Sequence, residues 1–352
     1  MPRVSVIIST YNHANYVEEC VQSVLNQTFN DFELIIVNNG STDHTSSALQ
    51  KFNDPRIRIF NLKVNRGAGV GFAHAAEQAS GEFIAPLSSD DAFEPTKLMQ
   101  QVGSLDAHKE CAAVFTYPVF VDEYGCPITD SSHKDANAFF VENRNRREWL
   151  HYFFYNGNCL CFPSALIRRE VYQKIQPDPR LRQLADFDMW VHLALQHELH
   201  IIQKPLVRFR VRNGLANESA ARTDVIVRDV WERGRILSRY ANITPLDFSR
   251  VFKEKVPANV GVALARRALQ VDHPAYRAFG LNLWYESLGR NGDEDFSSFY
   301  NATGSYDVYK VLDLPRDFDA GRYLDLNPDV KEHGMDPGVH FSRYGKFEGR
   351  KY

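Results

Sequence analysis

The sequence lacks several features that mark specialised classes of protein. Its 5 cysteines are an odd number without paired zinc spacing, which argues against a disulfide framework and a structural zinc site. With 41 basic and 44 acidic residues, the net charge of -3 attracts neither nucleic acid nor an anionic membrane to the chain as a whole. No stretch approaches the roughly 20 apolar residues of a membrane span, and the apolar part of MPRVSVIIST is too short for a signal peptide. These absences predict a cytoplasmic protein without nucleic acid as a partner.

What the chain does have is a regular alternation of apolar runs and helical stretches in its N-terminal part. Apolar runs at 4–9, 32–39, 56–62 and 82–87 predict strands, and the segments between them have helical spacing or are rich in alanine. This alternation predicts an α/β fold with a mostly parallel sheet flanked by helices. Ligands bind such sheets beyond the carboxyl ends of the strands. The segments expected at that edge are residues 9–12, 38–41, 65–67 and 88–95.

The rest of the chain is less regular. Residues 112–125 predict a strand pair with a turn, and residues 185–196 predict a helix in the half that would hold the second substrate. Helical spacing then continues to about residue 295, before a tail rich in glycine, proline, tyrosine and histidine. We therefore expect three parts: a main domain over 1–222, a helical segment over 223–300 and a small C-terminal module over 301–352.

Two adjacent acids, Asp90 and Asp91, directly follow the fourth predicted strand. Their carboxylates repel each other unless a cation lies nearby. Oxygen ligands of this kind suit Mg²⁺ or Mn²⁺ shared with a substrate diphosphate. The alternative role is a helix N-cap, because Phe93, Glu94 and Pro95 come next. The pair alone does not decide between the two roles.

Three segments in order carry a resemblance to a known family. VSVIISTYNHANYVEECVQSVLNQTFNDFELIIVNNGSTDHT, NRGAGVGFAHAAEQASGEFIAPLSSDDAFEPTKL and ADFDMWVHLA together resemble the family 2 glycosyltransferases of the GT-A fold. The resemblance implies a Rossmann-like GT-A domain and an inverting, metal-dependent enzyme. Such an enzyme moves a sugar from a nucleotide diphosphate to a hydroxyl of a bacterial surface polysaccharide or glycan. The expected donor is a UDP-sugar, with dTDP- and GDP-sugars as alternatives, and the expected cofactor is Mn²⁺ or Mg²⁺.

The resemblance also implies roles for residues on the donor side. Ser9, Thr10, Tyr11 and Asn12 would lie beside the base, with Tyr11 as a stacking partner or, alternatively, as a core aromatic residue. Arg66, in the loop after the third strand, would also contact the nucleotide.

Two acids that are usual in the family's donor motifs are replaced. The second acid of the DDGS loop is Asn39 here, and an amide both donates and accepts, so the choice of base is open. Ser88 stands in place of the leading acid of the Asp-x-Asp-Asp motif. By the resemblance, Asp90 would face the ribose and Asp91 would hold the metal, with an affinity lowered by the missing acid.

On the acceptor side, Asp186 matches the acid that serves as general base in inverting members of the family. Inversion needs one base in line with the attacking oxygen. Ala185 replaces the acid that usually precedes it. Outside the family context Asp186 would be read as a helix N-cap. Asp188 is the second candidate base, although it points elsewhere on the helix.

Several alternatives stay open at this point. Either Arg210 or Arg212 could clamp the diphosphate, or both could belong to a solvated strand face. A catalytically weakened scaffold that binds glycan or nucleotide sugar is the main alternative function, because acids are missing at positions 39, 88 and 185. A nicotinamide oxidoreductase is disfavoured, since GAGVGFA follows a third strand and lacks the expected acid.

The expected partners are a nucleotide sugar and a glycan or lipid-linked glycan acceptor. Residues 223–240 mix arginines with apolar residues, so they predict either a packed, solvated helix or peripheral contact with the inner face of the membrane. The tail resembles a module found on bacterial polysaccharide glycosyltransferases. Its His340, Arg343, Tyr344 and Arg350 would touch glycan or a partner subunit, for example in a homo-oligomer, or the tail would simply be a packing cap.

Overall fold

The computed structural model describes residues 1–128, 138–175, 177–212, 222–288, 314–315 and 317–352. The chain divides into two compact units, Met1–Phe279 and Gly280–Tyr352. The helices that directly follow residue 222 belong to the first unit, together with the sheet. The domain limits expected near residues 222 and 300 remain predictions, and the second of these lies outside the described residues.

The first unit is built on an eight-stranded mixed sheet. Its strands are β1 (Val4–Thr10), β2 (Phe32–Asn39), β3 (Ile57–Leu62), β4 (Phe83–Ser88), β5 (Ala92–Phe93), β6 (Cys111–Val121), β7 (Leu166–Arg168) and β8 (Glu198–Arg210). The strand order is β3-β2-β1-β4-β7-β6-β8-β5. The first four strands pair in parallel as expected, and β7 pairs antiparallel with both of its neighbours. The predicted α/β fold class is confirmed.

Helices connect and flank these strands. In the first unit they are α1 (Val17–Leu25), α2 (Thr45–Leu49), α3 (Ala68–Glu77), α4 (Lys97–Ala107), α5 (Arg146–Asn156), α6 (Arg169–Ile175), α7 (Ala185–Gln196), α8 (Thr223–Leu237), α9 (Pro245–Phe252), α10 (Val260–Ala268) and α11 (Pro274–Ser287), the last of which continues past the limit of the unit. Nearly every residue of β1, β2 and β4 is buried, because helices cover both faces of the central sheet. Among the residues that the structure describes, no helix is both long and apolar enough to cross a bilayer.

The strand register brings the predicted ligand-binding segments to one edge. Ser9 of β1 lies beside Val37 of β2 and Ser88 of β4. Asn38, one residue further along β2, lies between Thr10 and Asn61. Since these strands run in parallel, the loops that follow them emerge at the same edge of the sheet.

The region expected to form a strand pair after α4 differs from the prediction. Residues Cys111–Val121 form one continuous strand, β6, and only a turn with an isolated bridge between Val121 and Pro127 follows it. β6 runs parallel to β8 along its length, with irregularities in the register around Thr116 and Tyr117. Pairing with this distant strand outweighs the local tendency to form a hairpin.

α8 has two contrasting sides. Val225, Glu232 and Ile236 are buried within the first unit. Ile226, Val227 and Trp231 are 59%, 66% and 60% exposed. The exposed apolar side is compatible with both predictions for this helix, and the membrane contact stays a prediction.

In the described part of the second unit, the end of α11 is followed by three short helices and a π-helical turn over Phe341–Gly345. The helices are α12 (Ala320–Leu326), α13 (Pro328–Glu332) and α14 (Pro337–His340). Their small core consists of Phe318, Tyr323, Val330 and Phe341. His340 is buried and lies 2.9 Å from the Tyr323 hydroxyl, and Arg350 forms ion pairs with Asp329 and Glu348. His340 and Arg350 therefore hold the module together, and a role in binding glycan stays a prediction for them.

Candidate active site

The loop after β1 is tied to the loop after β2 by Asn12. Its backbone adopts the left-handed conformation, with φ of 54°. The Asn12 side-chain oxygen accepts from the backbone N–H of Thr42 at 2.8 Å, and the backbone N–H of Asn12 donates to the Ser41 hydroxyl at 3.0 Å. An asparagine tolerates this conformation better than most residues. The predicted base-binding loop is thus shaped by contacts within the chain.

Tyr11 and Thr10 lie at the same edge in different environments. The Tyr11 side chain is 40% exposed, so it is not a core aromatic residue. Thr10 is buried, and its hydroxyl has no hydrogen-bond partner among the described residues. A buried hydroxyl without a partner is costly, so this oxygen suits a ligand that supplies a hydrogen bond.

Glycine is required where α3 meets the end of β1. A Cβ atom on Gly71 would lie 2.0 Å from the Ser9 hydroxyl oxygen. A Cβ on Gly40, whose φ is +73°, would lie 2.5 Å from the backbone of Val64. Close packing of the loops against the sheet therefore accounts for these glycines, and no dinucleotide fingerprint is needed to explain Gly71.

Asn39 is buried at the end of β2, where it holds the loop that precedes α3. Its side-chain N–H donates to the Gly67 carbonyl at 2.9 Å and to the Asn65 side-chain oxygen at 3.2 Å. Its side-chain oxygen accepts from the backbone N–H of Arg66 at 3.2 Å, and the Arg66 residue itself is exposed. Both ends of the amide are used within the chain. Contact between Asn39 or Arg66 and a nucleotide stays a prediction.

Asp90 and Asp91 are both buried directly after β4, and Arg210 at the end of β8 holds this segment. The backbone N–H of Arg210 donates to the Asp91 carboxylate at 2.8 Å, and its guanidinium donates to the Asp90 carbonyl at 2.8 Å. The guanidinium also pairs with Glu19 and binds the Asp122 carbonyl at 3.1 Å. Arg210 is only 2% exposed, which leaves it little room to reach a substrate.

Burial and the charge of Asp90 raise the pKa of Asp91 well above its usual range. A nearby cation would relieve this repulsion. No group of three or more potential metal ligands occurs among the described residues. The two carboxylates nevertheless fit a hard divalent cation, because such ions take only one or two protein carboxylates when a diphosphate and water supply the other ligands.

Arg212 lies over Asp90 and His13. Its Nε atom is 3.1 Å from a carboxylate oxygen of Asp90, and its Nη1 atom is 3.0 Å from Nε2 of His13. Because arginine only donates, Nε2 must accept, and the His13 proton lies on Nδ1. Nδ1 then donates to the Ser89 hydroxyl at 2.7 Å. Burial, together with the charge of Arg212, lowers the pKa of His13, so the ring is neutral.

Asp186 lies in the first turn of α7, the helix expected at this position. One carboxylate oxygen accepts from the Asn158 side chain at 3.0 Å, and the other accepts from the backbone N–H of Phe187 at 2.7 Å. Burial nevertheless raises the pKa of Asp186 to about 6. Asp188 is occupied elsewhere, since Arg239 donates to both of its carboxylate oxygens at 2.8–2.9 Å. Of the two candidate bases, Asp186 therefore has the environment that suits proton transfer.

Asp91 and Asp186 both act on one buried thiol, that of Cys161. Burial raises the pKa of Cys161 well above its usual range, and the negative charges of Asp91 and Asp186 raise it further. The structure thus brings Asp91 and Asp186 to the same region of the first unit.

Three residues that hold the site were missed by sequence reasoning. His13 directly follows the predicted base-binding loop, so its place in the sequence could have indicated that it lies at the ligand edge of the sheet. Asn158 lies in the segment before β7, far along the chain from Asp186, and its contact with that residue was not predicted. Glu232 offered no signal: its carboxylate on α8 accepts from the backbone N–H groups of Arg182, Gln183 and Leu184 at 2.7–2.8 Å, just before α7.

Comparison with known proteins gives the family of the chain. The sequence model of the family described as Glycosyl transferase family 2 matches residues 5–176. The putative teichuronic acid biosynthesis glycosyltransferase TuaG of Bacillus subtilis is 38% identical over 194 residues, which cover 54% of this chain and 72% of TuaG. An uncharacterised glycosyltransferase of Methanocaldococcus jannaschii is 28% identical over 217 residues, which cover 60% of this chain and 72% of the relative.

Solved structures share the fold at low sequence identity. S. aureus TarS 1–349 in complex with UDP-GlcNAc has a TM-score of 0.57 and 18% identity, with 100% of this chain and 93% of that chain covered. The mannosyltransferase PcManGT of Pyrobaculum calidifontis, in complex with GDP-Man and Mn²⁺, has a TM-score of 0.50 and 15% identity, with 99% and 88% covered. The fold and the relatives together define a glycosyltransferase. The chain belongs to glycosyltransferase family 2, as the sequence motifs predicted.

Proposed function

We propose that the protein is an inverting, metal-dependent transferase that moves a sugar from a nucleotide diphosphate to a glycan hydroxyl. The observation that carries this proposal is the orientation of the Asp186 carboxylate together with its raised pKa. Its carboxylate is oriented by Asn158 and by the backbone of Phe187, and its pKa is raised to about 6. A base with a pKa close to neutral accepts a proton efficiently and is still ionised at working pH.

On the donor side, Asp91 would hold Mn²⁺ or Mg²⁺ and Asp90 would face the ribose. When bound, the metal would stabilise the charge that develops on the departing diphosphate. Ser9, Thr10, Tyr11 and Asn12 would surround the base. The buried Thr10 hydroxyl and the exposed Tyr11 ring support this placement.

Arg212 is a better candidate than Arg210 for the diphosphate clamp. Arg210 is buried among carbonyl groups and Glu19, whereas the Arg212 side chain retains 18% exposure beside Asp90. A planar guanidinium donates two parallel hydrogen bonds to phosphate oxygens. Donor binding would then move Arg212 from Asp90 onto the diphosphate, which leaves Asp90 available to the ribose.

A UDP-sugar is the first donor to test, because the structurally similar TarS was solved with UDP-GlcNAc. GDP-sugars come next, since PcManGT was solved with GDP-Man and Mn²⁺. The name of TuaG supports a surface polysaccharide as the class of acceptor, free or lipid-linked.

The test is calorimetry of the whole chain against UDP-, dTDP- and GDP-sugars, with and without Mn²⁺, followed by an assay of released nucleotide. We expect one class of donor to bind more tightly with Mn²⁺ and to be turned over slowly with water as acceptor. Tight binding of glycan without affinity for any nucleotide would overturn the proposal and support a scaffold. Arg180→Gln serves as a control for loss of a surface charge, because this exposed arginine pairs with Asp178, two residues earlier in the same loop.

A further inference from the structure

The helix that carries Asp186 begins without a cap from its own sequence. Leu184 occupies the N-cap position of α7 and has no side-chain oxygen to accept from the first N–H groups. The loop Arg182–Leu184 nevertheless directs three successive backbone N–H groups toward a single acceptor, the carboxylate of Glu232.

The geometry of this contact is that of a charge-assisted anchor. Oε1 of Glu232 accepts from Arg182 at 2.8 Å, and Oε2 accepts from Gln183 at 2.8 Å and from Leu184 at 2.7 Å. Hydrogen bonds from backbone N–H groups to an ionised carboxylate are stronger than those between neutral groups. Glu232 is only 1% exposed, so these N–H groups replace the water that would otherwise solvate its charge.

Neighbouring side chains reinforce the same loop. Arg228, one turn earlier on α8, donates to the side-chain oxygen of Gln183 at 2.7 Å. The Leu184 carbonyl in turn accepts from Asp188 at 2.9 Å and starts the hydrogen bonding of α7. The loop is therefore fixed to α8 on one side and to α7 on the other, two residues before Asp186.

We infer that Glu232 is a positioning residue for the transfer reaction, because it fixes the start of α7 and thereby the direction of the Asp186 carboxylate. This inference rests on the proposed role of Asp186 as the base. Glu232 reaches the site from the helical part of the first unit, so α8 takes part in catalysis indirectly and is more than a packing helix.

Two substitutions separate the geometry of Glu232 from its charge. Glu232→Gln keeps the length of the side chain but removes the charge and replaces one acceptor oxygen by a donor. Glu232→Asp keeps the charge but withdraws the carboxylate by one methylene group. Asp229→Asn is the matched control on the same helix, since Asp229 pairs with Arg233 on α8 itself.

The measurements are kcat, donor KM and the pH profile of nucleotide release from UDP-, dTDP- and GDP-sugars with Mn²⁺, together with hydrogen exchange of the 182–184 amides. We expect both Glu232 variants to lose about 10- to 100-fold in kcat with donor KM unchanged, because a small misplacement of a base is costly. Their 182–184 amides should exchange faster.

The negative charge of Glu232 adds to the effect of burial in raising the pKa of Asp186. The acid limb of the pH profile of nucleotide release should therefore move to lower pH in Glu232→Gln. In Glu232→Asp, which keeps the charge, it should stay in place.

Wild-type kcat and wild-type exchange in both Glu232 variants would overturn the inference. A loss of kcat that only follows the loss of folded protein, with exchange raised across the whole chain, would also overturn it, since it would indicate a purely structural role. Asp186→Asn separates the two levels. If that variant stays active, the proposed base fails and this inference fails with it; if it is inactive while the Glu232 variants match wild type, only the role of Glu232 is wrong.

Discussion

The carboxylates of the donor side and of the acceptor side are neutralised in different ways. Asp90 is paired with the guanidinium of Arg212, and Asp91 lies against the backbone of Arg210. Asp186 is instead held by the N–H groups of two uncharged residues, Asn158 and Phe187. Arg210 and Arg212 therefore lie where a diphosphate and a metal are proposed to bind, whereas the hydrogen-bond donors to the proposed base in the described part of the chain are uncharged.

This difference follows from what each carboxylate has to do. A carboxylate that binds a cation acts in its ionised form. For Asp91, whose pKa is raised by burial and by the charge of Asp90, the bound metal itself would favour that form. A general base must instead accept a proton, and a guanidinium beside Asp186 would lower its pKa and weaken it as a base. The predictions below test whether the two sides are separated in this way.

The largest effect is expected for Asp186→Asn. An amide cannot accept the proton of the attacking hydroxyl, so kcat should fall about 1,000-fold, within the range for loss of a general base. Donor affinity should be kept, because the proposed role of Asp186 is toward the acceptor. Transfer assays and calorimetry measure the two quantities. Asp188→Asn is the control, and it should not produce this selective loss of kcat. A fully active Asp186→Asn enzyme would rule out the assignment of the base.

The second prediction separates the two arginines of the donor side. Arg210→Met should lower the free energy of unfolding by about 2 to 4 kcal/mol, because it leaves buried carbonyl groups and Glu19 without their donor. Arg212→Met should cost about 1 kcal/mol of stability but weaken donor binding about tenfold. Urea unfolding and calorimetry give these values. The reverse pattern would make Arg210 the clamp.

The third prediction concerns the stability of Asp186→Asn as a function of pH. The pKa of Asp186 is about 6 in the folded protein, against about 3.9 when unfolded. Folding therefore favours the protonated form, and the ionised form destabilises the wild type increasingly as the pH rises from about 4 to 6. Asp186→Asn avoids this cost and should be about 3 kcal/mol more stable than wild type at pH 8, since each pKa unit corresponds to about 1.4 kcal/mol.

The same difference should vanish near pH 3, below both pKa values, where Asp186 is protonated in both the folded and the unfolded chain. Thermal unfolding at both pH values measures it, with Asn158→Ala as a control that removes a hydrogen bond without removing the charge. An equal stability difference at both pH values would show that the environment of Asp186 does not raise its pKa.

Much of the fold and of the site could be predicted from the sequence. The hydrophobic pattern of residues 185–196 predicted the bounds of α7, and the apolar runs placed Asp90 and Asp91 at the ligand edge. These features depend on local periodicity and on the rule that parallel strands end at a common edge.

Features that depend on the packing of distant segments could not be predicted. Arg210 and Arg212 lie two positions apart at the end of one strand, and only the pairing of β8 with β5 and β6 decides which is buried. Glu232 comes from a helix with no sequence signal for its partner. The amide of Asn39 suggested contact with a base, but its hydrogen bonds to the loop before α3 depend on the tertiary structure and could not be predicted.

The smallest effect is expected for Asn39→Asp, which restores the acid usual in the family. A carboxylate cannot donate to the Gly67 carbonyl, so two oxygens would face each other in a buried site. The free energy of unfolding should fall by about 1 to 2 kcal/mol. Asn61→Asp is the control, because the Asn61 side chain accepts from Asn38 and an aspartate still can. Donor affinities then identify the second role of Asn39: equal weakening for UDP-, dTDP- and GDP-sugars would show that it only holds the loop, and a change of preference among them would show that it contacts the base.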